Sequence, residues 1–140
     1  LKAILTKKFV DKITYEVIGD AIEVHKVLGP GLLESVYHKC IKHELKLRDI
    51  FFESEKNVPI VFKDFASTTD LRCDLYVENC LLVELKSVDI MAPIFITKSL
   101  SYANLLQAPK AVIINFNVNN IFKEGQKTYV TKYYESLPNE

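Results

Sequence analysis

Between residues 9 and 28 the apolar positions fall on one side of a 3.6-residue period. Ile13, Val17, Ala21, Val24 and Leu28 recur at spacings of three and four, which predicts an amphipathic helix over residues 9–28. Gly29-Pro30-Gly31 ends it: glycine accepts the left-handed conformation that closes a helix, and proline cannot continue one. A second helix is predicted over residues 32–48, with Leu33, Val36, Tyr37, Cys40, Ile41, Leu45 and Leu47 turned inward. Two helices on so short a turn form an αα-hairpin.

The period then changes. Strands are predicted at residues 51–55, 58–62, 71–77 and 81–87, with 63–70 as a polar connection. In residues 71–77 the row Cys73, Leu75, Val77 alternates with Arg72, Asp74, Tyr76, so the two rows face opposite ways. Pro93 suits the first turn of a third helix, where its missing N–H costs nothing, and that helix runs to about residue 107. Residues 110–117 read as a buried strand and 128–134 as an edge strand. The order α-α-β-β-β-β-α-β-β predicts an α+β fold, with a mixed sheet flanked by helices and an N-terminal αα-hairpin. There is no internal repeat.

Composition narrows the function classes. The 140 residues suit one domain spanning 1–140, and a hydrophobic fraction of 49% allows a real core. Eighteen basic and eighteen acidic side chains cancel. Any hold on nucleic-acid phosphates must therefore come from a local basic patch rather than a general surplus. Cys40, Cys73 and Cys80 form no close pair, which argues against a disulfide framework and a zinc knuckle and fits reduced thiols in a cytoplasmic protein. No run approaches the ~20 apolar residues of a membrane span, and the first residues carry no leader core. No membrane association is expected.

The candidate chemistry lies in the strands at 71–77 and 81–87. Leu82, Glu84 and Lys86 share one face of a strand that is otherwise apolar. Burying Glu84 and Lys86 without partners would cost several kcal/mol, and a bound cation is one means of compensation. Asp74 meets Glu84 on one face of a hairpin only if Val77 lies opposite Leu81, leaving Glu78, Asn79 and Cys80 as a three-residue loop. A two-residue loop would turn Glu84 away. Such a loop calls for a left-handed residue near its end, and Cys80 suits that poorly. One or two carboxylates, with a backbone carbonyl such as that of Leu85, suffice to anchor Mg²⁺ or Mn²⁺. A nearby lysine, Lys86, orients the attacking water or stabilises developing charge.

Asp74 followed by Glu84-Leu85-Lys86 resembles the core signature of the PD-(D/E)XK nuclease superfamily, with Cys73 where a proline is usual. Gly31-Leu32-Leu33-Glu34-Ser35-Val36-Tyr37 reads G-x-x-E-x-x-Y and is similar to the GxxExxY protein family within it. The segments LRCDLYVEN, LLVELKSV, Ser101-Tyr102 and IINFNV extend the likeness over residues 12–118. The resemblance implies a restriction-endonuclease-like core, a divalent-metal site and nuclease activity on DNA or RNA. It places Glu34, Asp74, Glu84 and Lys86 in catalytic or metal roles, with Tyr37, Arg72, Lys98 and Tyr102 as substrate contacts or support. Lys98 stands where the family carries glutamine, and Phe95 where a polar residue is expected. Lys98 either supplies a phosphate contact or marks an altered role.

Plainer readings exist for each residue. Glu34 can be ordinary helix-start chemistry, Arg72 and Asp74 a solvated strand face, and Glu84 with Lys86 a surface ion pair. Tyr37 and Tyr102 can be core aromatics. His25, His38 and His43 read as surface or satisfied histidines, since His38 and His43 are five apart. A catalytically inactive nuclease-fold module that binds nucleic acid or protein is the alternative to an enzyme, and a homodimer fits either.

Overall fold

The computed structural model describes residues 4–140. Helix α1 spans Lys7–Leu28 and starts where the Thr6 side chain accepts the Phe9 N–H. It ends at Gly29, whose φ of 72° is in the left-handed region. Helix α2, Glu34–Leu47, follows at once. Its inward face is Tyr37, Ile41 and Leu45, while Leu33 and Leu47 are exposed, contrary to the apolar pattern. Only one stripe of α2 can meet the sheet, and i, i+4, i+8 spacing selects those three.

Three strands, not four, come next: β1 (Phe52–Phe62), β2 (Phe65–Val77) and β3 (Leu81–Lys86). The runs expected at 51–55 and 58–62 join, because Pro59 is absorbed by a register shift between Val58 and Ile60 on an edge strand. The segment 63–70 is not a connection. Lys63 and Asp64 make the turn, Phe62 pairs with Phe65, and the Ser- and Thr-rich stretch continues β2 beyond the core, held by ladder hydrogen bonds rather than burial. Helix α3 (Pro93–Leu106) carries Pro93 in its first turn and ends at left-handed Gln107. Strand β4 (Lys110–Asn115), a π-helical turn (Ile121–Gly125) and β5 (Gln126–Val130) complete the sheet. The last strand stops short of the expected 134. Thr131 breaks it by accepting the Tyr133 N–H and capping a short helix, α4 (Lys132–Glu135).

The sheet order is β1-β2-β3-β4-β5, antiparallel except for the parallel pair β3 and β4, which α3 connects. The result is a mixed α+β architecture consistent with a restriction-endonuclease-like fold. Leu75, Val77, Leu81, Val83 and Leu85 pack with α1 and α2 in one core. Cys73, Tyr76, Leu82 and Ala111 pack with Ala103 of α3 in another. Cys73 therefore does not share a face with Leu75 and Val77: strict alternation fails at Asp74. Among the described residues, no helix is long and apolar enough to cross a membrane.

Asp20, on the buried face of α1, was hidden by the apolar pattern around it. It is fully buried, with neither carboxyl oxygen hydrogen-bonded. Arg48 Nε lies 2.9 Å from Asp20 Oδ1 but directs its N–H at Glu44, 2.6 Å away. Burial pushes the Asp20 pKa up to about 6, against the pull of Arg48. An acid whose folded-state pKa is raised loses stability as pH climbs from the unfolded value through the folded one. The natural chain is thus expected to lose melting temperature between about pH 4 and pH 6, relative to Asp20→Asn. Parallel melting curves for the two proteins across that window would refute this.

Candidate active site

The β2–β3 hairpin has the three-residue loop that a shared face requires, since Val77 pairs with Leu81 and Leu75 with Val83. Glu78 and Asn79 carry the positive φ angles, 50° and 53°, so Cys80 need not. Backbone pairing stops at Leu75–Val83, and the next residues in line are Asp74 and Glu84. There the Asp74 side chain replaces the ladder: Oδ2 accepts the Leu85 N–H at 2.8 Å. The two strands fork at this point, and the fork is where the carboxyl groups meet.

Glu84 is only 4% exposed, and its Oε1 has no hydrogen-bond partner. Burial, reinforced by Asp74 against it, raises its pKa to about 9, while Lys98 and Lys86 pull the other way. Burial would raise Asp74 as well. Its contacts with His38 and Glu84 and the Leu85 N–H outweigh that and hold it near 2. One carboxyl of the pair thus stays charged while the other is driven toward its protonated form, as two adjacent acids that share a buried site require.

Helix α2 closes the fork from the side of the αα-hairpin. Glu34 is its first residue and His38 lies one turn later on the same face. His38 Nε2 stands 3.4 Å from Asp74 Oδ2, and that carboxylate raises the imidazole pKa. One ligand atom each from Glu34, His38 and Asp74 lie within 4.8 Å of one another. They line a cleft of about 340 Å³ together with Glu55, Lys39 and Lys42. Glu55 reaches it through a strained backbone, φ 54° within β1.

Cations flank the fork on the α3 side. Lys86 Nζ sits 4.5 Å above the Phe95 ring, so the apolar residue in place of a polar one cradles the ammonium. Lys98 Nζ lies 5.3 Å above Tyr102, which packs half-buried against the second core. Arg72 is exposed on β2 opposite Asn57, outside the cleft lining. Tyr37 is wholly buried behind the site.

Asp74 thus belongs to two groups: Glu34 and His38 offer ligand atoms beside it, and Glu84 lies against it with Lys86 and Lys98 nearby, while Leu85 contributes its N–H to Asp74. Sequence reasoning missed His38 and Glu55. His38 had a signal: with Glu34 it forms an i, i+4 pair on one helix face. Glu55 had none: it is exposed, and it joins the cleft lining at a backbone position of positive φ. His25, by contrast, is a satisfied histidine, its Nε2 2.8 Å from the Val118 carbonyl.

A family model described as the PD-(D/E)XK nuclease superfamily matches residues 11–128. Neither the curated proteins nor the solved structures gave a match.

Proposed function

The chain belongs to the PD-(D/E)XK nuclease superfamily, and from that premise we propose that it hydrolyses phosphodiester bonds of DNA or RNA with Mg²⁺ or Mn²⁺, as one cytoplasmic domain of the GxxExxY type. The observation that carries this reading is Glu84: a buried carboxyl with an orphaned oxygen, held against Asp74 where the sheet forks. An unpartnered buried carboxyl costs stability, and unlike Asp20, which has Arg48 Nε 2.9 Å away, Glu84 faces a second carboxyl. The donors around it suit a hard divalent cation. Asp74, Glu84 and Glu34 would hold that ion, with the Leu85 carbonyl as a further donor.

When bound, such a cation withdraws charge from a phosphoryl oxygen and makes water acidic enough to attack. The chain supplies the rest. Lys86, steadied on Phe95, presents an ammonium to the charge that develops on the reacting phosphate. Lys39 and Lys42 line the cleft and Lys98 stands beside Glu84, a local basic rim on a chain with no net charge. Tyr102 props Lys98, and Arg72 lies further along β2, within the reach of a bound strand rather than of the reacting atoms.

The test is cation-dependent cleavage of single- and double-stranded DNA and RNA by the natural chain and by Lys86→Ala. Lys86→Ala is expected to lower the rate by ~10²-fold or more with an unchanged melting temperature. Equal cleavage by both proteins would trace the activity to a contaminant. Nucleic-acid binding without cleavage by the natural chain would favour the inactive nuclease-fold module, a reading that the Lys98 departure supports.

A further inference from the structure

We propose that His38 is an inner-sphere ligand of this centre through Nε2, which makes the site selective for Mn²⁺ over Mg²⁺. The inference rests on the metal-site reading above and adds to it a residue and an ion preference. Three observations carry it. His38 and Glu34 are an i, i+4 pair on one face of α2, so the helix presents an imidazole and a carboxylate to the same point. Their ligand atoms and one from Asp74 lie within 4.8 Å of one another. Ligand atoms around a shared six-coordinate ion stand about 3 Å apart when adjacent and about 4.2 Å when opposite, so small side-chain rotations gather all three. Independently, the unpartnered oxygen of Glu84 is buried against Asp74, in the same fork.

The imidazole faces the same carboxylate through Nε2, and only loosely. Its 3.4 Å approach to Asp74 Oδ2 is an ion-pair separation, longer than a good hydrogen bond, and Asp74 Oδ2 already accepts the Leu85 N–H at 2.8 Å. Ligand chemistry then sets the preference. Mg²⁺ is held by oxygen donors and keeps its waters, so a nitrogen in the first sphere gains it little. Mn²⁺ accepts the same octahedral geometry with mixed nitrogen and oxygen donors.

The experiment uses the whole chain, loaded below one equivalent with Mn²⁺ alone. Electron spin-echo spectroscopy of the bound ion reads ¹⁴N coupling directly, and calorimetry gives affinities for Mn²⁺ and Mg²⁺ separately. The natural chain should show ¹⁴N coupling, His43→Gln should retain it, and His38→Gln should lose it. His38→Gln should also weaken Mn²⁺ binding ~10-fold or more while changing Mg²⁺ binding less than ~3-fold. The spectrum of the natural chain needs no variant, so a misfolded His38→Gln would not remove the test. Mn²⁺ bound without ¹⁴N coupling, or both ions weakened equally by His38→Gln, would overturn the ligation and leave the metal site standing. Failure of both ions to bind would overturn the ligation and the metal site together.

Discussion

Glu84→Gln is expected to give a metal-free protein that melts higher than the natural chain and cleaves nucleic acid ~100-fold or more slowly. The two effects have one origin. Glu84 is almost wholly buried, with one oxygen unpartnered and a second carboxyl against it. Folding the metal-free chain therefore carries the desolvation of an acid beside an acid. Glutamine keeps the shape, removes the ionisable group and can donate an N–H to Asp74. A gain of ~1 kcal/mol would raise the melting temperature by a few degrees in a domain of this size. On the proposed reading the same change deletes a charged ligand, so a divalent ion should raise the melting temperature of the natural chain by mass action and leave that of the variant unchanged. Melting with and without Mn²⁺ separates the terms. A Glu84→Gln protein that melts lower without metal and cleaves at the natural rate would make Glu84 a structural group.

This trade of stability for chemistry explains why the site was only partly readable in the sequence. Parity set the condition for the pairing of Asp74 with Glu84, Val77 opposite Leu81 rather than a two-residue loop, and the hairpin meets it. The helices of the αα-hairpin followed from their 3.6-residue period. Parity failed where the site departs from regular structure. Cys73 crosses to the α3 core because the β2–β3 ladder gives way at Asp74, whose side chain takes over the Leu85 N–H. Glu55 enters the cleft by a left-handed backbone that glutamate does not advertise. The signal of His38 is its i, i+4 spacing from Glu34 in α2, not its spacing from another histidine. The polar stretch 63–70 belongs to a strand because hairpin pairing with β1, not hydrophobic burial, holds it.

The largest loss of stability is expected at Tyr37, where Tyr37→Ala should cost ~3–5 kcal/mol and Tyr37→Phe ~1–3 kcal/mol. Tyr37 has no solvent exposure, and its ring stacks on Phe116 with centroids 4.4 Å apart and planes 7° from parallel. Its hydroxyl donates to the Gly29 carbonyl at 2.5 Å and accepts the Leu32 N–H at 3.2 Å. Those bonds close the Gly29-Pro30-Gly31 turn, in which Gly31 holds φ 94°. The Leu32 carbonyl in turn accepts the Ser87 hydroxyl at 2.6 Å, one residue beyond Lys86. The spacing G-x-x-E-x-x-Y thus has a mechanical meaning. The glycine permits the turn, the tyrosine three residues past the glutamate clamps it, and the clamp sets where α2 begins and so where Glu34 points. Tyr37 is then a positioning residue, and its variants should behave differently from Lys86→Ala. Tyr37→Phe should melt lower and bind the cation more weakly, yet regain most of the natural cleavage rate at low temperature with saturating metal. Lys86→Ala should keep its stability and affinity and regain nothing. A Tyr37→Phe protein of natural stability whose rate stays low under saturation would move the hydroxyl from the scaffold into the chemistry.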